Sequence, residues 1–399
     1  MIDKRKILRW LTKGNNLWYE RDIEGSLEYV KSMKEPKSLW QRSYYQFKCY
    51  RYDVPVLKRL AYSTGAVFIL PLSLAFFRFA HLRAKFVREI ECVGDCSDVP
   101  DMLPESLKKQ YDINLDVYYN AGYGLSHSDM IYLIRRATAY FYSPSFLLHV
   151  VFKIASYSNI FYKFKPSVMV CHNEYSYSSS ALTDYCRYHH VFHINIMHGE
   201  RLINIRNAFF EYDKCYVWHV HYKNLYLEMR SGTKPEDFII ELPKALTINV
   251  SESFNQESYA DFKYYLAEGA FQEMESIVKS LNPLKERGYK VKFRPHPRYT
   301  DMDQLKKLVA PEEIEDPHAV SINNSIASCK YVIGSYSTVL LQAYLCGQGV
   351  LVDDLTFRDR IDVQRKARHI LLSVEGPKML SEFLSTINNT RDEKNTFTD

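Results

Sequence analysis

Short apolar runs alternate with helical stretches along this chain, and they do so in two successive blocks of similar size. In the first block the runs are KFVREIECVG (85–94), INLDVYY (113–119), SVMVC (167–171), VFHINIM (191–197) and KCYVWHV (214–220). In the second they are ALTINVS (245–251), YKVKFR (289–294), KYVIG (330–334) and GVLVDD (349–354). Runs this short and this apolar suit strands buried on both faces, as in parallel sheets. Between them, 98–111, 126–162 (broken near Pro144), 178–188, 257–287, 301–309 and 338–347 read as helices. Strand and helix alternating twice predict an α/β chain with two doubly wound domains facing each other across a cleft. Residues 1–85 lack the alternation, mix aromatic with basic residues, and read as a helical N-terminal region. The expected boundaries are therefore 1–85, 86–242 and 243–399. The last forty residues read as helical and are expected to pack back across the first domain.

Composition narrows the class. Eight cysteines lie scattered with no Cys-x-x-Cys pair, which argues for reduced core thiols in a cytoplasmic protein rather than a zinc site. The N-terminus MIDKRKILRW has no apolar run behind its charges, so no signal peptide is read there. A net charge of +5 is too mild for a dedicated nucleic-acid binder, yet suits anionic ligands or lipid. Residues 61–77, AYSTGAVFILPLSLAFF, carry no charge and are flanked by Lys58, Arg59, Arg78, Arg83 and Lys85. Seventeen residues fall short of the roughly 20 that a span requires. Three readings stay open: a buried core helix, a helix docked peripherally on the inner face of the cytoplasmic membrane, or a span.

In doubly wound sheets ligands bind beyond the carboxyl ends of the strands. Four loops there carry polar residues: CHNEYS (171–176), MHGERL (197–202), RPHPR (294–298) and GSYSTVLLQA (334–343). The last places Ser335, Ser337 and Thr338 where a helix begins, and a helix N-terminus with free N–H groups suits a phosphate. Simple helix capping would use the same residue types. RPHPR holds His296 between two prolines with Arg294 and Arg298 beside it, a stiff mount for one imidazole next to cationic charge. The two loops follow strands of the same block, and together they could meet the charge on a departing phosphate.

RPHPR followed by IGSYSTVLLQAYLCG resembles the His-Pro and Ser-Ser/Thr motifs of bacterial sialyltransferases and polysialyltransferases. These are GT-B enzymes of two Rossmann-like domains that use CMP-activated nonulosonic acids. The resemblance implies that His296, Ser337 and Thr338, with Ser335 nearby, contact the CMP phosphate. It spans roughly residues 165–355 and is closest over 289–355. MHGERL is similar to the Trp-His-Gly element of teichoic-acid transferases that use CDP-glycerol or CDP-ribitol, where the histidine is a proposed base. Those enzymes usually carry Asp-Tyr-Ser-Ser where this chain has Ser335-Tyr336-Ser337-Thr338. Capsule Kdo transferases carry His-Gly and His-Pro elements too. The sialyltransferases place their base in an acidic-acidic-Gly motif, and no such triplet follows a strand of the first block here.

The implied chemistry is inverting, metal-independent transfer of a sugar, such as sialic acid, from a CMP-activated donor to a surface glycan or lipid-linked acceptor. Glu174 or His198 serves as base, with Glu200 as a further candidate. His296, Arg294, Ser335, Ser337 and Thr338 hold the leaving nucleotide, Ser251 adds a phosphate contact, and Asp316 to Ser321 reach the ribose or base. No cofactor or metal is required; the Asp-x-Asp of DMD (301–303) reads as a helix start. The alternatives are a CDP-polyol phosphotransferase and a non-catalytic binding platform in a polysaccharide assembly complex.

Overall fold

The structure, a computed structural model, describes residues 23–52, 54–248, 259–266, 271–335 and 337–395. The chain divides into two compact units, Met1–Lys244 and Ala245–Asp399. The first holds six strands: β1 (Cys92–Asp95), β2 (Ile113–Asn114), β3 (Val168–Cys171), β4 (Phe192–Ile196), β5 (Lys214–Val217) and β6 (Phe238–Ile240). They form one sheet in the order β2-β1-β3-β4-β5-β6, every pair parallel. The second holds β7 (Ala260–Tyr265), β8 (Val291–Arg294), β9 (Cys329–Gly334), β10 (Gly349–Val352) and β11 (Lys378–Met379). Their order is β11-β10-β9-β7-β8, again all parallel.

Read from its first strand, each sheet is wound the same way. The second strand lies on one side of the first, and the third and later strands lie on the other. The connections therefore diverge between β1 and β3, and between β7 and β9. At such switch points the loops part and leave a crevice beyond the strand ends. The expected α/β class with two doubly wound sheets is what the structure shows.

The N-terminal helices do not stand apart. Helices Ile23–Ser32, Leu39–Tyr50 and Val56–Leu82 belong to the first unit. Trp40, Phe47 and Phe77 pack in one core with Phe146, Val150, Ile154 and Tyr185. Ser43 is fully buried, and its Oγ accepts the Ala181 N–H at 2.7 Å. Trp40, Phe47 and Phe77 thus join the core that covers the first sheet at Val93 and Met169.

Several element boundaries differ from the sequence reading. β1 starts only at Cys92, and β2 is two residues long. Asn114 Oδ1 accepts the N–H groups of Asp116 and Val117, which turns the chain into the short helix Val117–Asn120. Of the strand expected at 245–251, residues 249–251 lie outside the described residues, and Lys244–Leu246 is a single 3-10 turn. The helix expected over 257–287 gives way at its start to β7, an inner strand paired with both β8 and β9, and the helix itself begins at Phe271. Lys263 hides that strand in the sequence. Its side chain is fully buried, which its pairing with Glu315 permits. The helix Leu380–Asn395 packs Leu380, Phe383 and Leu384 onto the second unit's own core.

Candidate active site

In the first unit the register aligns Asp95, Cys171 and Asn195 across β1, β3 and β4 at their carboxyl ends. All three are buried. Asn173 ties the row together: its Nδ2 donates to Asp95 at 2.9 Å, and its backbone N–H donates to Asn195 Oδ1 at 2.9 Å. Burial raises the Asp95 pKa, with Lys153 and the Asn173 bond pulling the other way. The loop leaving β3 is thereby anchored on both neighbouring strands, at the switch point.

Glu174 and His198 meet here through Arg201. Glu174 is fully buried, and Arg201 Nε binds its Oε1. Its Oε2 is buried and has no hydrogen-bond partner among the described residues. Gln46 of the helix Leu39–Tyr50 fixes the backbone, donating to the Glu174 carbonyl at 2.7 Å and to the Arg206 carbonyl at 2.6 Å. Arg201 Nη2 lies 3.0 Å from His198 Nδ1. Burial pushes the His198 pKa down to about 4; Glu174 opposes this and the Arg201 cation adds to it. The half-buried ring is therefore neutral at neutral pH and able to accept a proton. His172 packs edge-on against it, ring centroids 4.3 Å apart, and its Nε2 lies 3.1 Å from the exposed carboxylate of Asp98. Of the two bases expected, His198 is the more accessible, while Glu174 is locked to Arg201.

In the second unit Tyr265 pairs with Arg294, and Tyr264 pairs with Ile333, so Arg294, Tyr265 and Gly334 end their strands on one line. The loops carrying His296 and Ser335 leave from either side of β7. Strand spacing separates them by about 9–10 Å, a gap that side chains and a phosphate can bridge. A Cβ on Gly334 would come within 2.9 Å of Leu340 Cδ1 and 3.3 Å of the Tyr265 carbonyl, so glycine leaves room for Leu340 of the next helix.

His296 is half-buried and its ring is fixed. Its backbone N–H donates to Thr300 Oγ1 at 2.8 Å, the Arg298 N–H donates to its Nδ1 at 3.1 Å, and Tyr299 stacks on it at 4.5 Å. With Nδ1 accepting, the ring can donate only through Nε2, for which no hydrogen-bond partner is found among the described residues. Across β7, Ser337 caps the helix Thr338–Leu345, its Oγ accepting the Leu340 N–H at 3.4 Å. Thr338 is exposed at the helix start, and Ser335 is buried at the end of β9. The N–H groups of Thr338 and Val339 precede the first intrahelical bonds.

Arg294 departs from its expected part. It is buried, and its Nη1 binds Glu315 Oε2 at 2.7 Å while its Nη2 donates to the Val320 carbonyl at 2.8 Å. Its charge is spent on Glu315, which also holds Lys263. Arg294 therefore shapes the 316–321 loop from beneath. Ser251 lies outside the described residues. Asp301 caps its helix by accepting the N–H groups of Asp303 and Gln304. Among the described residues no group of three or more metal-ligating side chains converges. Asp98 and Arg201 were not singled out from the sequence; GDCSD straight after an apolar run, and an arginine three residues past His198, were the available signals.

No protein-family description matches the chain, and no curated protein matches it. Among solved structures it is similar to the glycotransferase of kitacinnamycin, at 9% identity and a TM-score of 0.40, covering 74% of this chain and 86% of that one. It is also similar to a UDP-GlcNAc 2-epimerase from Methanocaldococcus jannaschii, at 10% identity and a TM-score of 0.36, covering 76% and 92%. A third is the wall teichoic acid polymerase TagF, at 9% identity and a TM-score of 0.35, covering 61% and 68%. At these scores the likeness carries no functional weight.

Proposed function

We propose that the chain is an inverting glycosyltransferase that moves a sugar, of the nonulosonic acid class, from a CMP-activated donor to a glycan acceptor. The observation that carries this reading is the Arg298 N–H bond to His296 Nδ1, which leaves Nε2 for a ligand at the same strand ends that carry the Ser337-capped helix. A nucleoside monophosphate gains a second negative charge as it departs and needs donors that are in place before that charge develops, and both features are held by the backbone. In the first unit His198 takes the proton of the acceptor hydroxyl. Arg201 and Glu174 set its charge state and position. As the anomeric bond breaks, His296, Ser337, Thr338 and the helix start hold the CMP phosphate, and protein donors carry the charge without a metal ion. Ser335 borders that site, and Arg294 supports it through the 316–321 loop.

The His198-Gly199 turn after β4 favours a second reading, transfer of a polyol phosphate from a CDP donor. Calorimetry with CMP, CDP, UDP and GDP separates the readings. CMP binding that is lost in His296→Ala supports the first, and CDP preference supports the second. Binding of UDP alone would sink both, and binding of none would leave a non-catalytic platform.

A further inference from the structure

The helix Val56–Leu82 is apolar on two sides. Ala66, Leu70, Leu74 and Phe77 face inward; Phe77 meets Phe152 edge-on at 4.8 Å, and its carbonyl accepts the Leu125 N–H. The outer face carries Leu57, Phe68, Leu72 and Phe76, which are 73%, 68%, 71% and 64% exposed. A helix packed on a soluble body ordinarily turns polar residues outward. At 27 residues it runs about 40 Å, and it has the length and composition of a membrane helix. Because its inner face is already packed, a bilayer reaches only the outer one. Arg59, Arg78, Arg83 and Lys85 lie along or beside it, the charge that anionic headgroups attract.

Beside the first turns of this helix lies a cavity of about 720 Å³. Its wall is mostly aromatic and aliphatic, with Phe47, Tyr62, Ala66, Leu148, Phe152 and Tyr177, and Arg51, Lys58 and Arg206 provide its charge. A second cavity of about 470 Å³ shares Phe47 and Arg51 with it and is lined by Lys48, Arg59 and tyrosines. Among the described residues neither wall contains a carboxylate. Arg51 stands between the two. Its Nη2 is buried without a hydrogen-bond partner among the described residues, and burial and the Arg59 charge both lower its pKa. An unpartnered guanidinium nitrogen placed between an apolar chamber and a tyrosine-lined one suits an anion attached to a hydrocarbon chain.

We propose that the first unit binds a lipid phosphate drawn from the membrane, its chain in the larger cavity and its phosphate on Arg51, with Lys58 and Arg59 adding charge. The outer face of Val56–Leu82 seats the unit on the bilayer that supplies it. The loop 172–178 borders both regions: Glu174 belongs to the polar cluster and Tyr177 to the cavity wall. The proposal uses no residue of the nucleotide site, so it stands or falls apart from the donor assignment.

The test titrates the full chain with dodecyl phosphate, dodecanol and inorganic phosphate by calorimetry. Dodecyl phosphate should bind at least about tenfold tighter than either of the others, because one charge-assisted hydrogen bond is worth about a decade. Arg51→Gln should remove that margin and leave dodecanol binding unchanged; Lys58→Gln provides a second variant should the first fail to fold. Equal binding of dodecyl phosphate and dodecanol, or inorganic phosphate binding as tightly, overturns the proposal. So does unaltered binding in a folded Arg51→Gln. In sedimentation with phosphatidylcholine vesicles, added phosphatidylglycerol should recruit the chain. Phe68→Glu with Leu72→Glu should abolish recruitment while dodecyl phosphate still binds, and recruitment equal to wild type overturns the membrane half.

Discussion

The Arg298 backbone N–H donates to Nδ1 of His296 at 3.1 Å, and this one bond leaves Nε2 as the nitrogen available to a ligand. With Nδ1 occupied, the ring can donate to a ligand only through Nε2, which is the role proposed for it. Loss of a preorganised donor to a developing anion costs about 10²-fold or more in rate. His296→Ala should therefore lower transfer by at least about that factor and weaken CMP binding, with an unchanged melting temperature. Wild-type turnover in this variant would remove His296 from the site.

The Glu174–Arg201 pair predicts a stability effect separable from catalysis. Glu174→Leu leaves a buried guanidinium without its carboxylate, a loss of about 3–5 kcal/mol. Adding Arg201→Met should recover most of it, since the penalty lies in the unpaired charge. Urea unfolding followed by tryptophan fluorescence reports on this unit, because all four tryptophans lie within residues 1–218. If the double variant is as unstable as Glu174→Leu, the pair is not the source of the loss.

His198 predicts the acid limb of activity. A general base must be unprotonated, and burial holds its pKa at about 4. The limb of kcat/KM should then fall near pH 4 rather than near the ordinary histidine value of about 6.5. His198→Gln should lower kcat by about 10²-fold or more at pH 7. A limb near pH 6.5 that survives in His198→Gln would assign the base elsewhere.

Two other histidines of the first unit set its acid stability. Burial pushes the pKa of His193 down to about 3 and that of His149 down to about 4. Below pH 6.5 the unfolded chain protonates these rings and the folded chain does not, so stability is constant above that pH and falls as pH drops toward the folded values. At pH 5 each histidine costs about 2 kcal/mol relative to pH 7. Urea midpoints at the two pH values measure this, and equal midpoints contradict it.

In the second unit Glu315 binds both Lys263 and Arg294 with all three side chains buried. Glu315→Gln leaves two cations without a counterion and should destabilise the unit by about 3–5 kcal/mol. Thermal melts by circular dichroism test this. The variant should also bind nucleotide more weakly, through the 316–321 loop that Arg294 holds.

The alternation of apolar runs with helical stretches was enough to call for two doubly wound parallel sheets, because strands buried on both faces must be short and apolar. The same rule failed at β7, where Lys263 breaks the apolar pattern and its partner Glu315 lies 52 residues away. Helical periodicity alone did not reveal what covers Val56–Leu82, because both of its sides are apolar and only tertiary packing tells which one the protein fills.

Residue type and spacing singled out His198, His296 and the Ser337 loop as candidates, and the structure places each beyond a strand end. Their roles depended on long-range neighbours. Arg294 is paired with Glu315 and Glu174 with Arg201, contacts that no local pattern shows. Local sequence determined the α/β class and most of the loops at the strand ends, while strand order, and β7 itself, came from the tertiary structure. Tertiary structure decided which charges remain for a ligand, because a buried charge goes to whichever opposite charge the fold brings within reach.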